Sequence, residues 1–194
     1  MTSPESRLYD FVYRAHLTEQ ALDAAGRRNR RLTEFESTET ARILSLDLLD
    51  DEHVDNARAM ANVYIAIAGF ENSVRDLITK VLSEELGANW WEAGVSEKIR
   101  TRAKQKLEEE DKIRWHVQRG ASPINYTLMG DLVSILRQNW PHFAPHIPTI
   151  EWAAGLLDVI ERSRNVIMHS GMLTRTDVER VGMYIRDWIK QVGA

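Results

Sequence analysis

Apolar positions along this chain recur at steps of three and four, the period of an α-helix. Ile67, Phe70, Val74, Leu77 and Val81 form the clearest seam, along one face of a long helix. Acid at Asp50, Asp51 and Glu52 suits the positive end of that helix's dipole, and Gly87 is the expected stop. A second helix is expected over 96–118, rich in Lys, Arg and Glu with a narrow apolar stripe, and broken by Gly120-Ala121-Ser122-Pro123. The next carries Leu132, Ile135 and Leu136, has Thr127 or Asn125 available as a cap, and stops before Pro141. Residues 142–148 read as a loop. A further helix starts near Thr149, and the last opens on a capping box, Thr176-Asp177-Val178-Glu179. Val181, Ile185, Trp188 and Ile189 share one side of it.

No segment alternates with period two between turn residues, so the expected class is all-α. Four or five helices beyond residue 52 suffice for a bundle. The first 52 residues differ in character. Leu8, Phe11, Val12, Ala15 and Leu22 give a thin helical stripe that ends in Arg27-Arg28-Asn29-Arg30-Arg31, and a short segment, 43–49, follows. The expected division is an N-terminal helical hairpin over 1–52, as a dimerisation or partner-binding arm, and a bundle over 53–194.

Composition narrows the function less than the pattern narrows the fold. A hydrophobic share of 43% and a charged share of 28% are those of an ordinary globular protein. The net charge of −4 does not announce a nucleic-acid binder, so any RNA contact must come from local basic clusters. With no cysteine, disulfides and thiolate metal sites are excluded, and a reducing cytosol fits. The apolar runs are too short to cross a bilayer and the first residues lack a secretion pattern, so a cytoplasmic protein is expected. His16, His53, His116, His142 and His146 form no metal-ligand set, and no cofactor is expected.

The chemistry concentrates at Arg164-Asn165-Val166-Ile167-Met168-His169, followed by Ser170-Gly171. Spacing alone carries little weight: nineteen arginines and six histidines in 194 residues give roughly 0.6 chance occurrences of Arg-x4-His. Arg137 and His142 repeat the spacing, with Pro141 between them. Context adds more. At 100° per residue, Ala153, Leu157, Ile160 and Ile167 form an apolar stripe that contains Arg164, while Asp158, Arg162, Asn165 and His169 form a polar strip. A guanidinium among Leu and Ile must reach solvent, an acid or another molecule. Arg164 and His169 then lie about 140° apart and cannot grip one phosphate together unless the last turn unwinds or a second copy completes the site. The structural alternative is a histidine bonding the free carbonyls of a helix end and an arginine paired with Glu161.

These residues resemble the HEPN superfamily (higher eukaryotes and prokaryotes nucleotide-binding). Its members include metal-independent endoribonucleases of toxin–antitoxin, abortive-infection and type VI CRISPR systems. The chain is most similar to the subfamily first defined at the C-terminus of a nuclear mRNA quality-control endonuclease and widespread in bacteria. Carrying the resemblance are Glu71-x-x-x-Arg75, Trp90-Trp91, Pro123-Ile124-Asn125-Tyr126, Asp131-Leu132, Trp140 with Phe143, and Arg164-Asn165 with His169. It covers roughly residues 60–192. Another branch carries tyrosine directly before the histidine; Met168 stands there, so modification of that tyrosine is not expected.

What the resemblance implies is a homodimeric, metal-independent endoribonuclease with a HEPN-like fold, a toxin or defence effector, with an antitoxin or defence-system partner. RNA supplies the 2′-hydroxyl as nucleophile. One His169 accepts its proton, a second protonates the leaving 5′-oxygen, and Arg164 stabilises the charge on phosphorus. Asn165 orients the histidine or the phosphate, and Glu71 and Arg162 are further candidates for substrate contact. The competing expectation is a HEPN-type binding or dimerisation module without cleavage, working beside a separate enzyme. Glu71 and Arg75 also read as an ordinary i,i+4 ion pair worth ~0.3–0.5 kcal/mol, the alternative being that Glu71 reaches the Arg164 guanidinium. Trp90, Trp91, Trp140, Trp152 and Trp188 read as core, Asp131 as a helix cap with Tyr126 packed beneath it, and the basic run 27–31 as a solvated face or a phosphate contact.

Overall fold

The computed structural model describes residues 34–193, together with Thr18 and Ala21. The expected stripe of Leu8, Phe11, Val12, Ala15 and Leu22 lies outside the described residues, as does the basic run 27–31. The chain divides into two compact units, Met1–Val54 and Asp55–Ala194. In the first unit, α1 (Glu34–Ile43) leads into a single 3₁₀ turn, Leu46–Leu48, entered through Ser45 at φ 53°. Ile43, Leu44, Leu48 and Leu49 are exposed there. The Asp50 carboxylate accepts the backbone N–H groups of Glu52 and His53, a cap for the helix that begins at Asp51.

That helix, α2 (Asp51–Leu86), is the spine of the second unit. Ile67, Phe70, Val74 and Val81 are buried as the seam requires, joined by Ile78 and Leu82, with Leu77 half-buried. Gly87 ends it at φ 74°, a conformation that costs glycine little. There follow α3 (Trp90–Gly94), α4 (Glu97–Asp111), a 3₁₀ turn (Pro123–Tyr126), α5 (Met129–Gln138), α6 (Trp140–Phe143), α7 (Ile150–Met168) and α8 (Arg175–Val192). No strand occurs among the described residues, and five of these helices are long, so the all-α bundle stands. α5 packs on α7 and α7 on α8. Leu132, Ile135 and Leu136 of α5 meet Ala153, Leu157 and Ile160 of α7 in the core, each large side chain contributing about 1.5–3 kcal/mol by leaving water. Trp188 sits edge-on to Phe70 at 5.7 Å and stacks on Trp152 at 5.9 Å. Asn139 is buried, its amide donating to the carbonyls of Gly94 and Ile135, which ties the end of α5 to α3.

Four local expectations change. α4 ends at Asp111 rather than 118, because four successive acids, Glu108 to Asp111, occupy the negative end of its dipole. Two of them are satisfied elsewhere: Glu110 receives the Arg119 guanidinium and backbone N–H, and Asp111 the Gln118 amide. α5 is capped neither by Thr127 nor by Asn125; the Asp131 carboxylate accepts the Leu128 N–H at 2.9 Å, while Thr127 donates its hydroxyl to the Ile124 carbonyl. The expected loop over 142–148 begins later, because His142 and Phe143 belong to a helical turn, Trp140–Phe143, in which Pro141 near the start loses no hydrogen bond. The cap of α8 lies two residues before Thr176, at Thr174 with Asp177 closing the capping box, and Ile189 is exposed.

Candidate functional site

α7 is a continuous helix through Met168, so the two strips read from its sequence are real faces. Ala153, Leu157 and Ile160 are fully buried. One turn on, the same face leaves the core, and Arg164 emerges into a cleft of about 790 Å³. The wall opposite is α2, with Tyr64, Glu71 and Arg75; His116 and Arg119 close another side, and Met168 flanks Arg164.

Glu71 organises the floor of this cleft. One carboxylate oxygen accepts Arg75 Nη2 at 2.5 Å, and the other lies 3.7 Å from Arg164 Nε. Arg75 Nη2 also reaches the Thr127 carbonyl at 3.3 Å, Nη1 reaches Asn72, and its Nε–H is buried without an acceptor. The expected i,i+4 pair of Glu71 and Arg75 forms, but their side chains are only 12% and 14% exposed, so the small value of a surface pair does not apply. A carboxylate shared by two guanidiniums in such a place is costly to remove. Nor does Arg164 pair with Glu161; the helix presents it to Glu71, across the cleft, with 35% of its side chain still open to solvent.

The cleft is cationic although the chain is acidic overall. Arg75, Arg119 and Arg164 outnumber Glu71 and Glu110 in its lining. Lys106 approaches the Tyr126 carbonyl at 3.4 Å. Its ammonium is held below the usual lysine range by burial and by Arg119, with Asp131 opposing and Arg102 and Arg164 adding to the fall. Burial pushes the Glu110 carboxyl up, but hydrogen bonds from Arg119 outweigh it and leave the group below its ordinary value. Such a field favours a polyanion.

His169 is placed differently. It is the C-cap of α7, its N–H bonded to the Asn165 carbonyl, and it is exposed on the strip with Asp158, Arg162 and Asn165. Ser170 then takes φ 61°, and the N–H groups of Ser170 and Gly171 return to Ile167 and Val166, closing the helix end. Gly171 is required there, because a Cβ would stand 2.8 Å from the Val166 side chain. Arg162 pairs with Asp158 at 3.0 Å. The structure thus brings Arg164, Glu71 and Arg75 together and leaves His169, Asn165 and Arg162 on the neighbouring face, outside the cleft lining.

Trp90 and Trp188 are buried, and Trp91, Trp140 and Trp152 pack against the core. Asp131 caps α5 and also holds Arg102 at 2.5 Å, and Tyr126 is buried with its hydroxyl donating to the Gly120 carbonyl. Sequence reasoning missed the contributions of His116 and Arg119. The signal was present in the acid run before Lys112, which argues against helix through 118 and for a turn that brings these side chains back. Among the described residues, no three His, Asp or Glu side chains are grouped to hold a metal ion, and no helix is long and apolar enough to cross a membrane.

The family model described as Swt1-like HEPN matches residues 66–193, a span that contains Glu71, Arg75, α7 and α8. No curated protein and no solved structure matches the chain.

Proposed function

We propose that this chain, which belongs to the Swt1-like HEPN family, is a metal-independent endoribonuclease whose active site forms between two copies. HEPN domains are generally ribonucleases and typically act as dimers on RNA. The observation that carries the proposal is the position of Arg164: a half-exposed guanidinium in a cationic cleft, on the helix that ends in an exposed imidazole.

Arg164 binds the scissile phosphate, with Glu71 aligning the guanidinium from behind. Arg164 and His169 point about 140° apart around α7, so one copy presents the cation and the imidazole in different directions. A twofold axis beside the end of α7 brings both pairs to one phosphate. His169 of one copy takes the proton of the 2′-hydroxyl, and the 2′-oxygen attacks phosphorus. Negative charge gathers on the phosphoryl oxygens against Arg164, and the bond to the 5′-oxygen breaks. That oxygen takes a proton from His169 of the second copy. The products are a 2′,3′-cyclic phosphate and a 5′-hydroxyl; DNA, without the nucleophile, is not cut. Asn165, one turn before His169, orients the imidazole or the phosphate, and Arg162 guides the strand from the exposed strip. Because unrestrained cleavage damages the cell's own RNA, a toxin or defence effector in the cytoplasm, held by an antitoxin or defence-system partner, is the setting that suits this chemistry.

A labelled RNA incubated with the purified protein in excess chelator tests the reading. Cleavage that vanishes in His169→Ala, with fold and dimer retained, is the expected result. Equal cleavage by protein and variant removes the proposal. If the protein binds RNA and dimerises but cleaves nothing, the inert binding module replaces it.

A further inference from the structure

The segment between α4 and the 3₁₀ turn does something the sequence did not lead one to expect: it holds a tryptophan in water. Trp115 is 86% exposed, as is Val117, and Ile113 beside them is exposed too. An indole is rarely left so bare, because burying its large apolar face is favourable and the remaining tryptophans of this chain are buried or packed against the core. Slack does not explain it, because the segment is tethered at its base. Glu110 holds the Arg119 guanidinium at 2.5 Å, Asp111 holds Gln118, Arg119 lies 5.3 Å over the Tyr126 ring, and Tyr126 bonds the Gly120 carbonyl at 3.1 Å. The tip is therefore presented rather than loose.

The two residues that follow Trp115 belong to the cleft. His116 and Val117 line the same space as Arg164, and the Trp115 ring stands edge-on to His116 at 5.6 Å between centroids. His116 Nδ1 is bonded to the Val117 carbonyl at 2.8 Å, which fixes that ring at the rim. Beyond the rim lie the guanidiniums of Arg119, Arg75 and Arg164. An exposed aromatic ring next to the rim of an arginine-lined cleft matches one polymer's chemistry: phosphates in the cleft and an unpaired base on the ring.

We propose that Trp115 is a stacking platform for an unpaired base of the RNA strand whose phosphates lie along the Arg164 cleft. The proposal rests on the ribonuclease reading and deepens it, assigning selection of single-stranded over paired RNA to a residue outside the Arg164–His169 motif. Stacking engages the π-face that every base has, so Trp115 selects for unpairing rather than for a particular base.

The test uses the full chain and a single-stranded oligonucleotide with 2′-O-methyl groups, which cannot be cut, alongside its duplex. Trp115→Ala is expected to bind the single strand about 10-fold more weakly, the weight of one base–aromatic stack. Binding to the duplex and thermal stability should stay unchanged, since the residue is 86% exposed. Trp115→Phe should keep most of the affinity, and the quenching of tryptophan fluorescence expected when the wild type binds should be smaller in it. Wild-type binding that persists undiminished in Trp115→Ala overturns the proposal and leaves the ribonuclease reading intact. If the wild-type chain binds no RNA at all, both fall.

Discussion

Two places in this chain carry arginine and histidine at the same spacing, and the fold treats them in opposite ways. At Arg137 and His142 the helix stops at Gln138, Asn139 turns inward to bond Gly94, and Pro141 opens a new helical turn. His142 ends half-buried, its Nδ1 3.2 Å from Glu85. At Arg164 and His169 one helix runs unbroken to Met168, so the arginine is delivered to a cleft and the histidine to open solvent. Identical spacing therefore says nothing by itself. What separates the two is whether the intervening chain remains helical, and which surface each face of that helix meets.

The sharpest way to break this comparison is to exchange the histidines' fates. His169→Ala is expected to lower the RNA cleavage rate by about 10²–10⁴, the weight of a general acid–base group, while His142→Ala stays within a factor of about two. A comparable loss in both variants, measured on the same labelled RNA, would mean that the contrast has no bearing on catalysis.

Next in size is the carboxylate that only the second arginine meets. Glu71→Gln leaves the nearly buried Arg75 guanidinium without its counter-charge and should cost about 2–3 kcal/mol in urea unfolding. A change under about 0.5 kcal/mol would return Glu71 to the surface-pair reading. The helix end gives a smaller effect of opposite sign. Ser170 is held at φ 61°, where a side chain is strained and glycine is not, so Ser170→Gly should stabilise the fold by about 0.5–1 kcal/mol. Destabilisation by that variant would show that the Ser170 side chain contributes something the backbone geometry hides.

The smallest effect concerns acid. Hydrogen bonds from the hydroxyl and backbone N–H of Thr174 hold the Asp177 carboxyl below its ordinary value; burial opposes them, and Arg180 adds a smaller push downward. Its folded pKa lies under the unfolded one, so its stabilisation is complete above the unfolded value of ~3.9 and is lost as pH falls through the folded value. Asp177→Asn should flatten the acid limb of the stability–pH curve in that window alone. An unchanged acid limb would argue that the cap at α8 carries no linked proton.

Much of the fold was legible because it depends on local pattern. The seam of α2, the two faces of α7 and the stop at Gly87 follow from residue period and backbone preference, which act within a few turns. Local signals were also where the sequence reading slipped. Thr176 looked like a cap, but Thr174 with Asp177 offers the same box two residues earlier, and nothing in the pattern ranks one above the other. The pattern over 96–118 extends past the true helix end because periodicity continues beyond Asp111, where four acids oppose the helix dipole. The site was legible only in part. Arg164 was visible as a cation in an apolar stripe, whereas its partner Glu71 sits 93 positions away and belongs to another helix. Trp115 escaped notice altogether, since exposure is a property of packing and not of the residue.

Sequence by itself determined that the described residues are helical, where their principal helices lie and which faces they bury, because periodicity and helix-end chemistry are encoded in neighbours. Only the tertiary structure decided that Glu71 serves both Arg75 and Arg164, that residues 112–122 leave the helix to build a rim, and that cations gather in an otherwise acidic protein. Those outcomes depend on distances between segments far apart in the chain, and such distances exist only once the core has closed.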